Sequence, residues 1–310
     1  MTEEGKIMDI STIITFIKQI VATFTALISM FIPAADTAGV AYGAEKPDEL
    51  IMSFSAVSDT HVETNNPEAY NAFSALINAV KAGKDHSAAI FVGDNVMNGQ
   101  LLENFFFYMG VKAVNPAEHN LVALGNHDIG NGNGDYDKFR KNYLNNNRLY
   151  LGNKLENTYY FRVINGCYMI FLASEELCVN DFVMSNEQTE WLKNVLKEAD
   201  AADAPVFVFN HHPVYRIRED NANTLADILN QYDNLLYIHG HTHDQLGADN
   251  FYTYNGIDCI CLPRSTEIVD YEPGDGIVVE VYNDEILVRG RNFIDGEWID
   301  ELNYTYPLDK

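Results

Sequence analysis

The sequence predicts an α/β fold: a four-layer α/β/β/α sandwich of two mixed sheets flanked by helices, with a β-rich C-terminal part. Short apolar runs recur along the chain and end in polar residues, which is the pattern of buried strands in an α/β sheet. Residues 67–84 carry apolar side chains at helical spacing between the first two runs, so this strand–helix–strand unit predicts a parallel pair. After residue 243, strand-like runs predominate.

The middle of the chain adds further helices and a hairpin. Residues 100–114 predict a second helix, and residues 158–163 and 167–173, joined by an Asn-Gly turn, predict a β-hairpin. Ser185 and Gln188 form a capping-box pattern that predicts the start of another helix.

The last third of the chain predicts additional strands. We expect it to form a second sheet that packs on the first. The strand-like runs are residues 251–254, 257–262, 276–282 and 286–293, followed by a closing segment at residues 297–306.

Five predicted strands end in side chains that can bind metal. In open α/β sheets such ends face one crevice, so we expect these side chains to meet there. Residues 54–58 precede Asp59-Thr60-His61, residues 88–92 precede Gly93-Asp94-Asn95, residues 120–124 precede Gly125-Asn126-His127-Asp128, residues 206–209 precede Asn210-His211-His212-Pro213, and residues 235–238 precede His239-Gly240-His241-Thr242-His243.

The candidate donors are carboxylates, imidazoles and an amide oxygen, without a thiolate. This mixture suits borderline divalent ions. The number of donors exceeds what one tetrahedral or octahedral ion needs from a protein, so the sequence favours two ions over one.

A loop rich in Gly and Asn directly follows the third of these strands, at residues 130–147. Loops in this position commonly carry specificity, which makes Asn131, Asn133, Asp135 and Tyr136 candidate pocket residues. A surface excursion is the alternative interpretation.

The chain is strongly acidic. Its 310 residues carry a formal net charge of −25, from 45 acidic and 20 basic residues. Such a surface repels polyanions, so we expect no nucleic acid duplex as a partner. We expect the four cysteines to be buried apolar side chains; a disulfide between Cys167 and Cys178 is the alternative in an oxidising compartment.

The N-terminal segment, residues 1–45, differs from the main domain predicted at residues 46–310. Residues 20–32 are apolar, small or hydroxyl-bearing, and with residues 10–17 they are long enough to span a bilayer. Small residues follow, as they do before signal cleavage sites. We expect an exported or membrane-anchored protein, with membrane association through residues 10–32. The alternative is a cytoplasmic protein in which this segment is a helix that packs its apolar face on the domain or on a partner.

The series Asp-x-His, Gly-Asp, Gly-Asn-His-Asp, His-x-Pro and Gly-His-x-His, in this order between residues 52 and 243, resembles the calcineurin-like metallophosphoesterases. The resemblance implies two divalent ions of manganese, iron or zinc. It assigns one ion to Asp59, His61, Asp94 and His243, and the other to Asp94, Asn126, His211 and His241, with Asp94 bridging.

The same resemblance implies a hydrolase of small-molecule phosphomonoesters or phosphodiesters. A metal-bridging hydroxide is then the nucleophile and His127 the general acid, with Asp128 orienting the His127 imidazole. The His-x-Pro spacing favours His211 over His212 as the ligand, and His239 is expected to support its neighbours rather than bind an ion.

The sequence departs from one branch of this family. Purple acid phosphatases place a tyrosine ligand three residues after the bridging aspartate, where this chain has Met97, so no iron(III)–tyrosinate centre is expected. The arginines at positions 216, 218 and 264 are candidates for gripping phosphate, with exposed ion pairs as the alternative.

Two other functions compete with a small-molecule hydrolase. A metal-stabilised scaffold without turnover is disfavoured because His127 and every ligand position are intact. A DNA nuclease is disfavoured by the acidity and by the lack of a basic stripe in the sequence.

Overall fold

The computed structural model describes residues 44–81, 87–114, 119–218, 222–267, 269–270 and 272–308. The apolar segment at residues 10–32, predicted to be an export signal or membrane anchor, lies outside the described residues. Within the described part of the chain, no helix combines the length and apolarity needed to cross a bilayer.

Twelve strands form two six-stranded sheets in the described residues. The strands are β1 Met52–Val57, β2 Ala88–Val92, β3 His119–Ala123, β4 Tyr160–Ile164, β5 Cys167–Phe171, β6 Val206–Phe209, β7 Leu235–His239, β8 Phe251–Tyr254, β9 Ile257–Cys261, β10 Asp275–Val281, β11 Glu285–Asn292 and β12 Glu297–Pro307. The first sheet has the order β12-β11-β10-β1-β2-β3, and the second has the order β4-β5-β6-β7-β9-β8.

Both sheets are mixed, and they pack face to face as predicted. In the first sheet β1, β2 and β3 are parallel, and in the second β5, β6, β7 and β9 are parallel. Aromatic side chains fill the space between the sheets: the ring of Phe54 lies 5.0 Å from Phe207 and 5.9 Å from Phe209, both edge-on. Separate apolar clusters cover the outer faces, where the helices lie. The predicted four-layer α/β/β/α class is confirmed.

Five α-helices accompany the sheets in the described residues. They are α1 Pro67–Lys81, α2 Leu101–Val114, α3 Tyr136–Asn146, α4 Asn186–Ala201 and α5 Ala222–Leu229. The predicted start of α4 is confirmed, since Ser185 Oγ accepts a hydrogen bond from the Gln188 backbone N–H at 3.1 Å. The capping box is only half formed, because the Ser185 backbone N–H donates to Glu175 instead of Gln188. All four cysteines are buried and free, so the alternative disulfide is not formed.

Two expectations about connectivity were wrong. The C-terminal run does not build a sheet of its own: β10 pairs antiparallel with β1, so β10, β11 and β12 extend the first sheet, while β8 and β9 complete the second. The region predicted as a loop after β3 contains helix α3, which begins where the Asp135 carboxylate accepts a hydrogen bond from the Lys138 N–H. Asp135 is thus a helix cap.

Two tyrosine hydroxyls occupy the free edge of β3. As the last strand of its sheet, β3 leaves the backbone groups of Val122 without a strand partner on that side. The Tyr160 hydroxyl accepts from the Val122 N–H at 3.1 Å and donates to its carbonyl at 3.1 Å, and the Tyr143 hydroxyl donates to the same carbonyl. These contacts hold the strand that leads into Asn126 and His127.

Removing the Tyr160 hydroxyl should destabilise the protein more than removing that of Tyr143. Tyr160→Phe leaves the buried Val122 N–H without its hydroxyl, which costs about 1–3 kcal/mol. Tyr143→Phe should cost less, because the Val122 carbonyl keeps the Tyr160 donor. Urea denaturation of the two variants compares them directly, and equal losses would contradict the proposed role of the N–H contact.

Candidate metal centre

The predicted ligands meet at one end of the two sheets. Each follows the carboxyl end of a strand: β1, β2 and β3 in the first sheet, and β6 and β7 in the second. Because the two sheets pack face to face, these ends converge on one crevice, as the sequence predicted.

One group of donors contains Asp59, His61, Asp94 and His243, whose candidate ligand atoms all lie within 4.8 Å of one another. His243 Nε2 lies 3.0 Å from Asp59 Oδ1 and 3.0 Å from His61 Nε2. His61 Nε2 is also 3.4 Å from Asp59 Oδ1. Two imidazole nitrogens and a carboxylate oxygen therefore point at a common position.

The second group contains Asp94, His211 and His241. His211 Nε2 lies 3.1 Å from Asp94 Oδ2, and Asn126 Oδ1 lies 3.1 Å from His241 Nδ1, which brings the amide oxygen to the same place. Asp94 is the residue that belongs to both groups.

The two oxygens of Asp94 have different surroundings. Oδ1 accepts a hydrogen bond from the His127 backbone N–H at 2.8 Å. Oδ2 lies 3.1 Å from His211 Nε2 and 3.7 Å from His61 Nε2, so it faces both groups of donors. A bridging role would therefore fall to Oδ2, while Oδ1 fixes the plane of the carboxylate.

Neighbouring groups fix the orientation of the candidate ligands. His211 Nδ1 lies 3.0 Å from the Val92 carbonyl, which can only accept, so Nδ1 carries a hydrogen and Nε2 is the nitrogen that faces Asp94. The Asn126 amide donates to Asn131 Oδ1 at 3.1 Å, which turns its own oxygen toward His241. Asn131, a predicted pocket residue, thus contributes to the site by orienting the Asn126 side chain.

The backbone at the site is strained. Five of the seven predicted ligands have positive φ: Asp59 at 53°, His61 at 39°, Asp94 at 48°, His241 at 77° and His243 at 60°. Such conformations are uncommon for residues with a side chain and persist where the surroundings enforce them. Their concentration here indicates that the loops are shaped to aim side chains into the crevice.

Two glycines make room for the carboxylates. A Cβ on Gly125 would overlap the backbone and side chain of Asp94, and a Cβ on Gly240 would overlap the side chains of Ser58 and Asp59. The Ser58 hydroxyl donates to Asp59 Oδ2 at 2.7 Å. Ser58 was missed in the sequence analysis because a serine in an apolar strand carries no signal of its own.

The residues fit divalent cations. Among the described residues, Asp59 Oδ1 and His211 Nε2 are buried and make no hydrogen bond of good geometry, although His243 Nε2 lies 3.0 Å from the first and Asp94 Oδ2 lies 3.1 Å from the second. Buried polar atoms are rarely left in this state, and a cation between them would satisfy both. Imidazole nitrogens with carboxylate and amide oxygens are suitable donors for borderline divalent ions.

The carboxylates and imidazoles perturb one another. Burial tends to raise the pKa of the Asp59 carboxyl, but the nearby imidazoles of His211 and His243 outweigh it and hold that pKa well below its usual range. Burial tends to lower the pKa of His211, yet the Asp94 and Asp59 carboxylates raise it to about 10. A proton on His211 therefore competes with a cation for the same position.

His127 is next to the cluster but outside it. Its Nε2 lies 4.0 Å from Asp94 Oδ2, and its side chain is 18% exposed. Its Nδ1 lies 2.6 Å from the carbonyl oxygen of Met97. Because a carbonyl only accepts, Nδ1 carries a hydrogen, and Nε2 is the nitrogen that faces the crevice.

The expectation that Asp128 orients the His127 imidazole was wrong. The two oxygens of the Asp128 carboxylate accept from the backbone N–H groups of Asn95, Val96 and Gly125 and from the Asn95 amide, at 2.8–3.1 Å. Asp128 therefore ties the loop after β3 to the loop after β2. The sequence could not reveal this, because backbone donors leave no residue signature.

Two further histidines, His239 and His212, lie beside the two groups of donors without belonging to either. His239 Nδ1 lies 2.9 Å from the Gly240 carbonyl and its Nε2 lies 2.7 Å from the Tyr252 hydroxyl, so both nitrogens are engaged away from the donors. His212 is buried, with Nε2 3.3 Å from the Val179 carbonyl and its ring 4.5 Å from that of His241.

The three candidate arginines pair with acidic side chains. Arg218 Nη1 lies 2.9 Å from Glu176 Oε2, and Arg216 Nη1 lies 3.9 Å from Asp181 Oδ1. Arg264 lies 3.5 Å from Glu267, and its side chain is 20% exposed.

Comparison with known proteins identifies the family. Residues 52–245 match the family model described as calcineurin-like phosphoesterase. Among curated protein sequences, none matches the chain.

Solved structures share the fold at low identity. A dimetal phosphatase from Danio rerio is 12% identical with a TM-score of 0.55, over 84% of this chain and 100% of that one. Purple acid phosphatase PPD1 from yellow lupin, Lupinus luteus, is 16% identical with a TM-score of 0.58, over 82% of this chain and 53% of that one. The family model spans more than half of the chain and contains all the predicted ligands. The chain therefore belongs to the calcineurin-like phosphoesterase family and is a phosphoesterase.

Proposed function

We propose that this protein hydrolyses phosphomonoesters or phosphodiesters of a small molecule with two divalent ions and with His127 as general acid. The observation that carries the proposal is the shared position of Asp94, whose Oδ2 faces two groups of donors at once. The similarity of the fold to a dimetal phosphatase is consistent with two ions.

Asp59, His61, Asp94 and His243 would hold one ion, and Asp94, Asn126, His211 and His241 would hold the other. When bound, such ions lower the pKa of a coordinated water and stabilise charge on phosphoryl oxygens. Manganese, iron(II) and zinc all suit this donor set.

The ligand set also explains how an acidic protein can attract an anionic substrate. Two divalent ions bring four positive charges against the two carboxylates of Asp59 and Asp94, while the other donors are neutral. The site is then locally positive in a chain of net charge −25. Metal occupancy, rather than surface charge, would draw the phosphoryl group in.

His127 is placed to protonate the leaving oxygen. The Met97 carbonyl keeps the hydrogen on Nδ1, so the proton that can be transferred is the one on Nε2 of the imidazolium. That nitrogen faces the crevice from its partly exposed side. Together with the partly exposed His241 and His243, His127 marks the side from which substrate would approach.

The apolar N-terminal segment supports a further proposal, that residues 10–32 direct export or anchor the protein to a membrane. Glu45 lies beside the predicted start of the main domain at residue 46, and its backbone N–H donates to the Glu280 carboxylate at 3.1 Å. The proposal is tested by fractionating cells that express the full chain or a chain without residues 1–43. Recovery of both forms in the cytosol would contradict it.

Asp94→Asn should remove both ions. The amide that replaces Asp94 cannot supply the charged bridging oxygen, and the affinity for each ion should fall by more than about 100-fold. Elemental analysis after dialysis measures the loss, with the exposed Asp244→Asn as the matched control that retains both ions. Two ions bound to Asp94→Asn would contradict the bridging role.

His127→Ala should retain its metal and lose rate according to the leaving group. General acid catalysis contributes about 10²–10⁴-fold, and an alkoxide needs the proton far more than a nitrophenolate does. We expect kcat to fall by about that factor on an alkyl phosphoester and by much less on p-nitrophenyl phosphate and bis-p-nitrophenyl phosphate. An equal loss of kcat on alkyl and nitrophenyl esters would contradict the role of His127 as general acid.

A further inference from the structure

One peptide unit connects His127 to a buried carboxylate. The carbonyl of Met97 accepts the His127 Nδ1 hydrogen at 2.6 Å. The N–H on the other side of the same peptide bond belongs to Asn98, and it donates to Glu103 Oε2 at 2.9 Å. The peptide is planar and rigid, so these two hydrogen bonds lie at opposite ends of one fixed dipole.

Glu103 is buried and receives several donors. Its side chain is 1% exposed and lies in the first turn of α2. Oε2 also accepts from the Gln100 backbone N–H at 3.1 Å, and Oε1 accepts from the Asn98 side-chain amide at 3.0 Å. Three N–H donors directed at the two oxygens suit an ionised carboxylate.

We infer that Glu103 is a positioning residue for His127, acting through the Met97–Asn98 peptide. The carboxylate polarises the peptide, and a polarised carbonyl is a stronger acceptor for the Nδ1 hydrogen. Glu103 would thus orient the His127 imidazole, which is the role that the sequence predicted for Asp128. The Met97–Asn98 peptide lies between the Glu103 carboxylate and the imidazole. The inference rests on the proposed role of His127 as general acid.

A purely structural role must be separated from this one. A glutamate that accepts the N–H just before a helix is also a capping residue, and such a residue would matter for stability alone. The contact that a cap does not require is the one to Asn98 N–H, because that bond leads to Met97 and on to His127.

Glu103→Gln tests the inference in the full chain, beside one matched control and one variant of a neighbouring contact. The substitution keeps the shape of the side chain and removes its charge. Glu68→Gln makes the same change at an exposed position in the first turn of α1. Asn98→Ala removes one of the three donors to Glu103 and keeps the Asn98 backbone N–H. Glu68→Gln should behave as the wild type does, and Asn98→Ala should have a smaller effect than Glu103→Gln.

The first readout is independent of turnover. The Nδ1 proton of His127, assigned by its loss in His127→Ala, is followed by nuclear magnetic resonance in the metal-free and zinc-loaded proteins. A shorter hydrogen bond moves this proton downfield, so Glu103→Gln should move it upfield while Glu68→Gln leaves it in place. An unchanged resonance in Glu103→Gln would overturn the inference.

The second readout is the dependence of kcat on the leaving group. We expect Glu103→Gln to lower kcat on an alkyl phosphoester by about 10–100-fold, with a much smaller change on p-nitrophenyl phosphate, unchanged KM and unchanged metal content. A uniform loss on both esters, or full activity on both, would overturn it. If the wild type hydrolyses neither ester, the proposed function fails, and the resonance alone decides the role of Glu103.

Discussion

The position of the Asp94 carboxylate is the constraint on which the site depends. One oxygen must face two groups of donors, and the other must be held so that the carboxylate does not rotate. The His127 backbone N–H provides that hold. The missing side chain of Gly125 provides the space, because any Cβ there would overlap Asp94. Strands β2 and β3 are neighbours in one sheet, so Gly125 and His127, which follow β3, lie beside Asp94, which follows β2.

The candidate metal centre has several features that are unfavourable unless a cation is bound. Two buried carboxylates and several imidazoles converge there, and five of these residues have positive φ. Among the described residues, the buried ligand atoms Asp59 Oδ1 and His211 Nε2 also make no hydrogen bond of good geometry. Each of these features costs free energy in a protein without metal. Cations bound by these residues would offset that cost, so metal binding and the stability of these loops are expected to be coupled.

The sequence could predict what depends on local pattern. Apolar strands that end in ligand-type residues gave the fold class and the convergence of Asp59, Asp94 and His211. It could not predict contacts made by backbone atoms: the carbonyl that holds His127 belongs to Met97, whose side-chain identity is irrelevant to that bond. It also could not show that β10 pairs with β1, because both strands are buried along nearly their whole length and neither sequence carries a residue that selects its partner strand.

The most direct test of two ions that share Asp94 is anomalous diffraction from crystals grown with Mn²⁺ or Zn²⁺. Two anomalous peaks, each at a coordination distance of about 2.0–2.2 Å from Asp94 Oδ2, are the predicted result. One peak should also contact His61 and His243, and the other His211 and His241. A single peak, or two peaks of which only one contacts Asp94, would contradict the bridged centre.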